Sequence, residues 1–248
     1  MRSPARESPA DFHTLSKIKS LDIRKYSGEN APVSERRYHQ FCGVAKALDL
    51  VGERWTLLLA RDLLLGGRRF SDLLQAMPGL TPNLLSQRLR QLQEAGLVAQ
   101  ERLPPPGGAT LYVLTPLGRE LEPVILALGR FGARWLVAPG DDDRVDPRWA
   151  VVSLKRRYVR PAADARRWRV ALHLGELGFA LELGGERLEA RDGAPTEADL
   201  VLRMELPALG ALLFGGASAR ALVAEGRIAR EGPARALADF ARAFGFQP

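Results

Sequence analysis

Residues 68–97 read RRFSDLLQAMPGLTPNLLSQRLRQLQEAGL, two helical periods separated by a breaker. Leu73, Leu74 and Met77 keep helical spacing behind Ser71, which is expected to cap the first helix. Pro78-Gly79 ends it, because proline cannot continue the hydrogen-bond ladder and glycine accepts unusual turn angles. Thr81-Pro82 restarts a helix, with threonine as cap and proline at the first helical position, and Gly96 stands where it stops. The second helix is expected over roughly 82–95. At about 100° per residue, Leu85, Leu89 and Leu92 form one stripe, with Asn83, Gln87, Arg90 and Glu94 opposite and Ser86 on the flank.

One face of this helix is therefore core, and the other is uncharged-polar plus arginine. Asn, Gln and Arg make paired hydrogen bonds to purine edges in the major groove, and a helix N-terminus favours a phosphate. Arg68, Arg69 and Arg88 are candidates to neutralise the DNA backbone, and Ser71 and Thr81 complete the contact set around the turn. An ordinary solvated helix has the same appearance, so context must decide. Val98 to Leu103 and Thr110 to Leu114 can pair as strands across a Pro104-Pro105-Pro106-Gly107-Gly108-Ala109 tip. A helix-turn-helix followed by such a hairpin is a winged helix. Upstream, Gly43 to Val51 and Trp55 to Leu65 offer supporting helices.

The segment from Tyr38 to Trp135 resembles the HxlR-type winged-helix transcriptional regulators of bacteria. The resemblance is carried by Cys42, Gly52-Glu53-Arg54-Trp55, Arg69-Phe70-Ser71-Asp72-Leu73, Leu89-Arg90-Gln91-Leu92-Gln93-Glu94-Ala95-Gly96-Leu97 and Leu114-Thr115-Pro116-Leu117-Gly118, in that order. It implies a dimer that binds double-stranded DNA, with the 82–95 helix in the major groove and the 103–110 wing beside the backbone. This wing departs from that expectation: its tip has no Lys or Arg, and only Arg102 stands at its base.

Leu117, Leu121, Val124, Leu128, Phe131 and Trp135 follow a 4-3-4-3-4 spacing, an apolar seam that a homodimer partner or the domain itself can cover. Pro123 inside the pattern is expected to kink it. Cys42 opens the first helix of the domain and has two readings. It packs as a small hydrophobe, or, as in some relatives of the family it resembles, it is a redox-sensing thiol with Lys46 one turn away.

The ten residues 138–147, with four Asp, two Pro and one Gly, read as an acidic linker. The expected division is a flexible basic arm at 1–36, a DNA-binding and dimerisation domain at 37–137, the linker, and a second domain at 148–248. A helix from Trp149 to Tyr158 ends in Lys155-Arg156-Arg157, a solvated helix end or a DNA patch. Four strands at 169–174, 179–183, 187–191 and 199–205 read as an antiparallel meander. Helices at 207–224, broken at Gly215-Gly216, and at 233–244 flank a short strand in 226–232. This layout is similar to sterol-carrier-type domains. That resemblance implies an apolar tunnel, for which Leu212, Leu213, Phe214, Phe240, Phe244 and Phe246 are the candidate lining; the same residues can equally fill a core.

The expected fold is thus a mainly α winged helix-turn-helix domain followed by an α+β sterol-carrier-like domain. One Cys and three His in 248 residues exclude a structural zinc site or a disulfide framework. No nucleophile elbow, phosphate loop or dinucleotide fingerprint appears, so neither an enzyme nor a cofactor is expected. The longest uncharged stretch, Leu206 to Ala219, has 14 residues with four Gly and Pro, too short for a membrane span. With no signal peptide in the first 25 residues, a cytoplasmic protein, on the nucleoid when bound to DNA, is expected. Net charge is +7, and basic residues outnumber acidic ones by six in residues 1–137 and by four in 148–248. A DNA-binding regulator answering to an apolar effector fits this balance. A lipid carrier whose winged helix makes protein contacts is the alternative.

Overall fold

Helices α1 (Gly43–Val51) and α2 (Thr56–Asp62) lead into α3 (Phe70–Ala76) and α4 (Pro82–Glu94). The leucines expected on the inner stripe of α4 are buried, and with Leu59, Leu63 and Leu73 they belong to the core of this half. Strands β1 (Val98–Arg102) and β2 (Thr110–Leu114) pair antiparallel as the wing. Arg68 adds an isolated bridge on the other edge of β2, its backbone exchanging hydrogen bonds with Tyr112. In this computed structural model the described residues are 37–104, 108–136, 139–140, 142–159 and 166–247. The expected arm at 1–36 and the wing tip at 105–107 lie outside them.

Helix α5 (Pro116–Arg119) starts at Thr115, whose hydroxyl accepts from Gly118 N and donates to Gly96 O. Gly118 is obligatory here, since a Cβ would lie 1.9 Å from Leu97 O. The seam then breaks before Pro123: α6 (Glu122–Gly132) is a separate helix followed by a 3-10 turn (Ala133–Trp135).

Helix α7 (Pro147–Arg157), capped by Asp146, opens the second half. A five-stranded sheet follows in the order β5-β4-β3-β6-β7: β3 (Trp168–Leu174), β4 (Leu177–Leu183), β5 (Glu189–Asp192), β6 (Leu200–Met204) and β7 (Ile228–Glu231). The first three strands form the expected meander. The fourth does not extend it, because β6 returns to the far side of β3 and pairs with it in parallel. Alternation marks a strand and its buried face but carries no information on its direction. Helices α8 (Leu206–Leu213), α9 (Ala219–Ala224) and α10 (Ala234–Ala243) complete the half, and the 207–224 segment is broken at the glycine pair as expected.

The basic run at the end of α7 is neither a solvated end nor a DNA patch. Lys155 is buried against Glu122 of α6 at 2.8 Å, and Arg156 donates to Gly129 O of the same helix. Arg157 faces the other way and donates to Leu213 O and Phe244 O, where α8 and α10 end. At the front of α7, Trp149 donates to Asp62 of α2, while Arg148 pairs with Asp192 at the end of β5. Asp192 N in turn donates to Leu65 O. Helix α7 thus contacts both halves, and their buried residues merge into one cluster.

Candidate nucleic-acid interface

Thr81 caps α4 as the sequence indicates, its hydroxyl accepting from Leu84 N. Ser71 does not cap α3: the helix begins one residue earlier, and the Asp72 carboxylate accepts from Arg69 N while the Ser71 hydroxyl donates to Asp72. Around these caps and along α4 the structure exposes Arg69, Ser71, Thr81, Asn83, Ser86, Gln87 and Arg90, with Arg102 exposed on the wing. Asn83, Gln87 and Arg90 make no side-chain hydrogen bond or ion pair with the described residues. They project as free donors and acceptors from a helix whose first turn is already closed by the Thr81 cap and Pro82.

Two of the expected phosphate contacts are corrected. Arg68 is 7% exposed; its guanidinium pairs with Asp62 at 3.4 Å and donates to Asp72 O. Arg88 is 9% exposed and reaches Glu53, Arg54 O and Gln91. Both cations are consumed inside the protein, because a buried guanidinium needs its donors satisfied.

The seam divides. Leu117 and Leu121 are half-buried against the core, whereas Val124, Leu128, Phe131 and Trp135 are 51 to 65% exposed. Helix α1 is expected as a supporting helix, yet Tyr38, Phe41, Val44 and Leu48 are also exposed around it. The signal available was the apolar residues on nearly every side of GVAKALDLV, more than one core can cover.

Cys42 is exposed at the N-cap of α1, so the packing reading is corrected. Backbone N–H groups of Ala45 and Val44 hold its thiol below the ordinary range. Lys46 turns to Asp49 at 3.8 Å instead. In the second half, Leu212, Leu213, Phe240, Phe244 and Phe246 are buried and the three phenylalanine rings pack on one another, while Phe214 is exposed and outside any such lining. An open cleft of about 520 Å³ lies elsewhere, at one end of strands β3, β4 and β5 among Arg167, Arg169, Glu182, Arg187, Glu189 and Asp199. Among the described residues no three His, Cys, Asp or Glu side chains are grouped to hold a metal. No helix among them is long and apolar enough to cross a membrane.

Residues 50–139 match the family described as HxlR-like helix-turn-helix. The uncharacterized HTH-type transcriptional regulator sll1512 of Synechocystis is 37% identical over 95 residues, which is 38% of this chain and 70% of that protein. YvaP of Bacillus subtilis, of the same description, is 33% identical over 91 residues, 37% of this chain and 84% of its own. The chain belongs to the HxlR-like helix-turn-helix family. Among solved structures, the redox regulator HypR in its reduced form is 30% identical and covers 38% of this chain and 92% of its own, with a TM-score of 0.36. The HxlR-like segment takes in the helix-turn-helix, the wing and α6, and stops before α7 and the sheet.

Proposed function

We propose that this HxlR-like protein is a homodimer that reads operator DNA with α4 in the major groove and the wing beside the backbone. It is a DNA-binding transcriptional regulator and not an enzyme. The observation that carries the reading is the free Asn83, Gln87 and Arg90 face on a capped helix, flanked by exposed Arg69 and Arg102. Two copies are needed to read two half-sites, and the exposed part of the α6 seam is the surface available to join them.

Gln87→Ala and Arg90→Ala are each expected to reduce discrimination between operator and random DNA by about 1–3 kcal/mol, the worth of a paired base contact. Arg69→Ala is expected to weaken both DNAs alike, since a phosphate contact carries no sequence. Binding titrations on a duplex selected by the protein and on an unselected one test this. Equal losses on both duplexes for all three variants would remove the base-reading role of α4.

The second half supports a sterol-carrier-like reading through its α+β layout, with the Phe240, Phe244 and Phe246 cluster as the place an apolar effector would enter. Those rings pack at 4.9 and 5.6 Å, so an effector has to part them. Through α7, such a change would reach α2 and α6. Coupling of this kind is reciprocal, so operator DNA is expected to change the affinity of a fatty-acyl probe by ~5- to 150-fold. Probe binding that is absent, or indifferent to operator, would refute it. The exposed thiol of Cys42 supports redox sensing as well; with one cysteine in the chain, its oxidised form would be capped or joined to a second copy.

A further inference from the structure

Arg88 lies about 100° round α4 from Gln87, at the border between the core stripe and the polar face. Each of its three guanidinium nitrogens has its own acceptor: Nε donates to Arg54 O at 3.2 Å, Nη2 to the Glu53 carboxylate at 2.8 Å, and Nη1 to Gln91 Oε1 at 2.7 Å. Two of these acceptors belong to the turn between α1 and α2, 34 and 35 positions earlier in the chain.

That turn is itself closely determined. A Cβ on Gly52 would lie 2.5 Å from Leu48 O, so the close approach needs glycine. Trp55 has φ of 79°, in the left-handed region where a bulky residue is an outlier. Such a conformation persists only where the surroundings over-determine it. The Trp55 ring carries the Arg54 guanidinium 4.9 Å from its centre, and it stands 3.9 Å from where a Cβ on Gly79 would be. Gly79 belongs to the turn that precedes α4. The same α1–α2 turn therefore meets the middle of α4 through Arg88 and the approach to α4 through Trp55.

We infer that Arg88 is a positioning residue that fixes the rotation of α4 about its own axis and makes no contact with DNA. The inference rests on the reading that α4 enters the major groove. Side chains ride on a helix of about 5–6 Å radius, so a rotation of ~10° shifts them by about 1 Å. A binding constellation needs placement within about 0.5 Å, so such a shift disrupts paired base contacts. Lysine cannot substitute, because one ammonium on a flexible stem does not reproduce a planar fork that grips three acceptors.

The probe is a duplex selected by the full-length protein from a random-sequence pool, with an unselected duplex beside it. Arg88→Lys and Arg88→Met are expected to lower affinity for the selected duplex by ~10-fold or more, leaving the unselected affinity and the slope of log affinity against log salt at wild-type values. Glu53→Gln, a milder change at a side chain 36% exposed, is expected to give part of the loss and to add nothing in the Arg88→Met background. A salt slope reduced by about 0.9, with parallel loss on unselected DNA, overturns the inference by making Arg88 a phosphate contact. Undiminished affinity for the selected duplex in both Arg88 variants and in Glu53→Gln overturns it too. If Gln87→Ala and Arg90→Ala keep full affinity for that duplex as well, the groove-reading role of α4 falls first and takes the inference with it.

Discussion

Leu128→Glu together with Phe131→Glu is expected to convert the proposed dimer into a monomer and to lower operator affinity by ~10²- to 10⁴-fold. Both side chains stand more than half exposed on α6, and neither belongs to the buried core. Their substitution should leave the fold of one protomer intact. In the proposed dimer, burying each large apolar side chain would contribute about 1.5–3 kcal/mol, and a carboxylate in its place would bring an unpaired charge into the seam. Separating the subunits removes the advantage of linked half-sites, which is where the ~10²- to 10⁴-fold figure comes from. Sedimentation velocity and operator titration at fixed protomer concentration measure the two effects. A dimer that survives both substitutions would move the interface to the Tyr38, Phe41, Val44 and Leu48 surface.

The second large effect is expected at Asp62. Its carboxylate is fully buried and has three partners: Arg61 at 2.7 Å, Arg68 at 3.4 Å and the indole N–H of Trp149 at 3.2 Å. The Arg61 guanidinium also lies over the Trp149 ring at 4.2 Å, so the group ties α2, the entry to α3 and α7 together. Asp62→Ala leaves the Arg68 guanidinium buried with only Asp72 O to accept from it. Breaking one side of a buried pair costs about 3–5 kcal/mol, a large share of a typical stability of ~5–15 kcal/mol. Asp62→Asn keeps the shape and an acceptor, so its loss is expected to be smaller. Urea unfolding followed by circular dichroism gives the values. A loss below about 1 kcal/mol for Asp62→Ala would mean that the group is not a structural tie.

The helix-turn-helix was legible because its signals are local: a cap, a proline, a glycine and a leucine stripe all lie within 30 residues. Arg68 and Arg88 were misread for the opposite reason. A helical wheel places a side chain relative to its own axis, whereas two of the three acceptors of Arg88 come from the turn between α1 and α2, and Arg68 is fixed by the buried Asp62. The basic run of α7 failed in the same way, since Glu122, Gly129, Leu213 and Phe244 are brought to it only by tertiary structure. Within the second half, strand positions were readable from alternation, but the parallel return of β6 was not. The seam was readable as a spacing; its division into a buried front and an exposed rear depends on where the helix breaks before Pro123.

Helix α7 also sets an order of assembly as the chain leaves the ribosome. The winged half emerges first and leaves Asp62 without its indole donor and Glu122 without its lysine until residues 147–157 follow. Once seated, α7 presents Val151 and Leu154, both fully buried in the finished protein, as an apolar template for a sheet that has not yet been made. At ~5–20 residues per second the last of that sheet's helices arrives roughly 5–20 s after α6. A nascent protein halted in this interval would hold the proposed DNA-reading face of one protomer beside an uncovered apolar flank, a species that a chaperone would recognise.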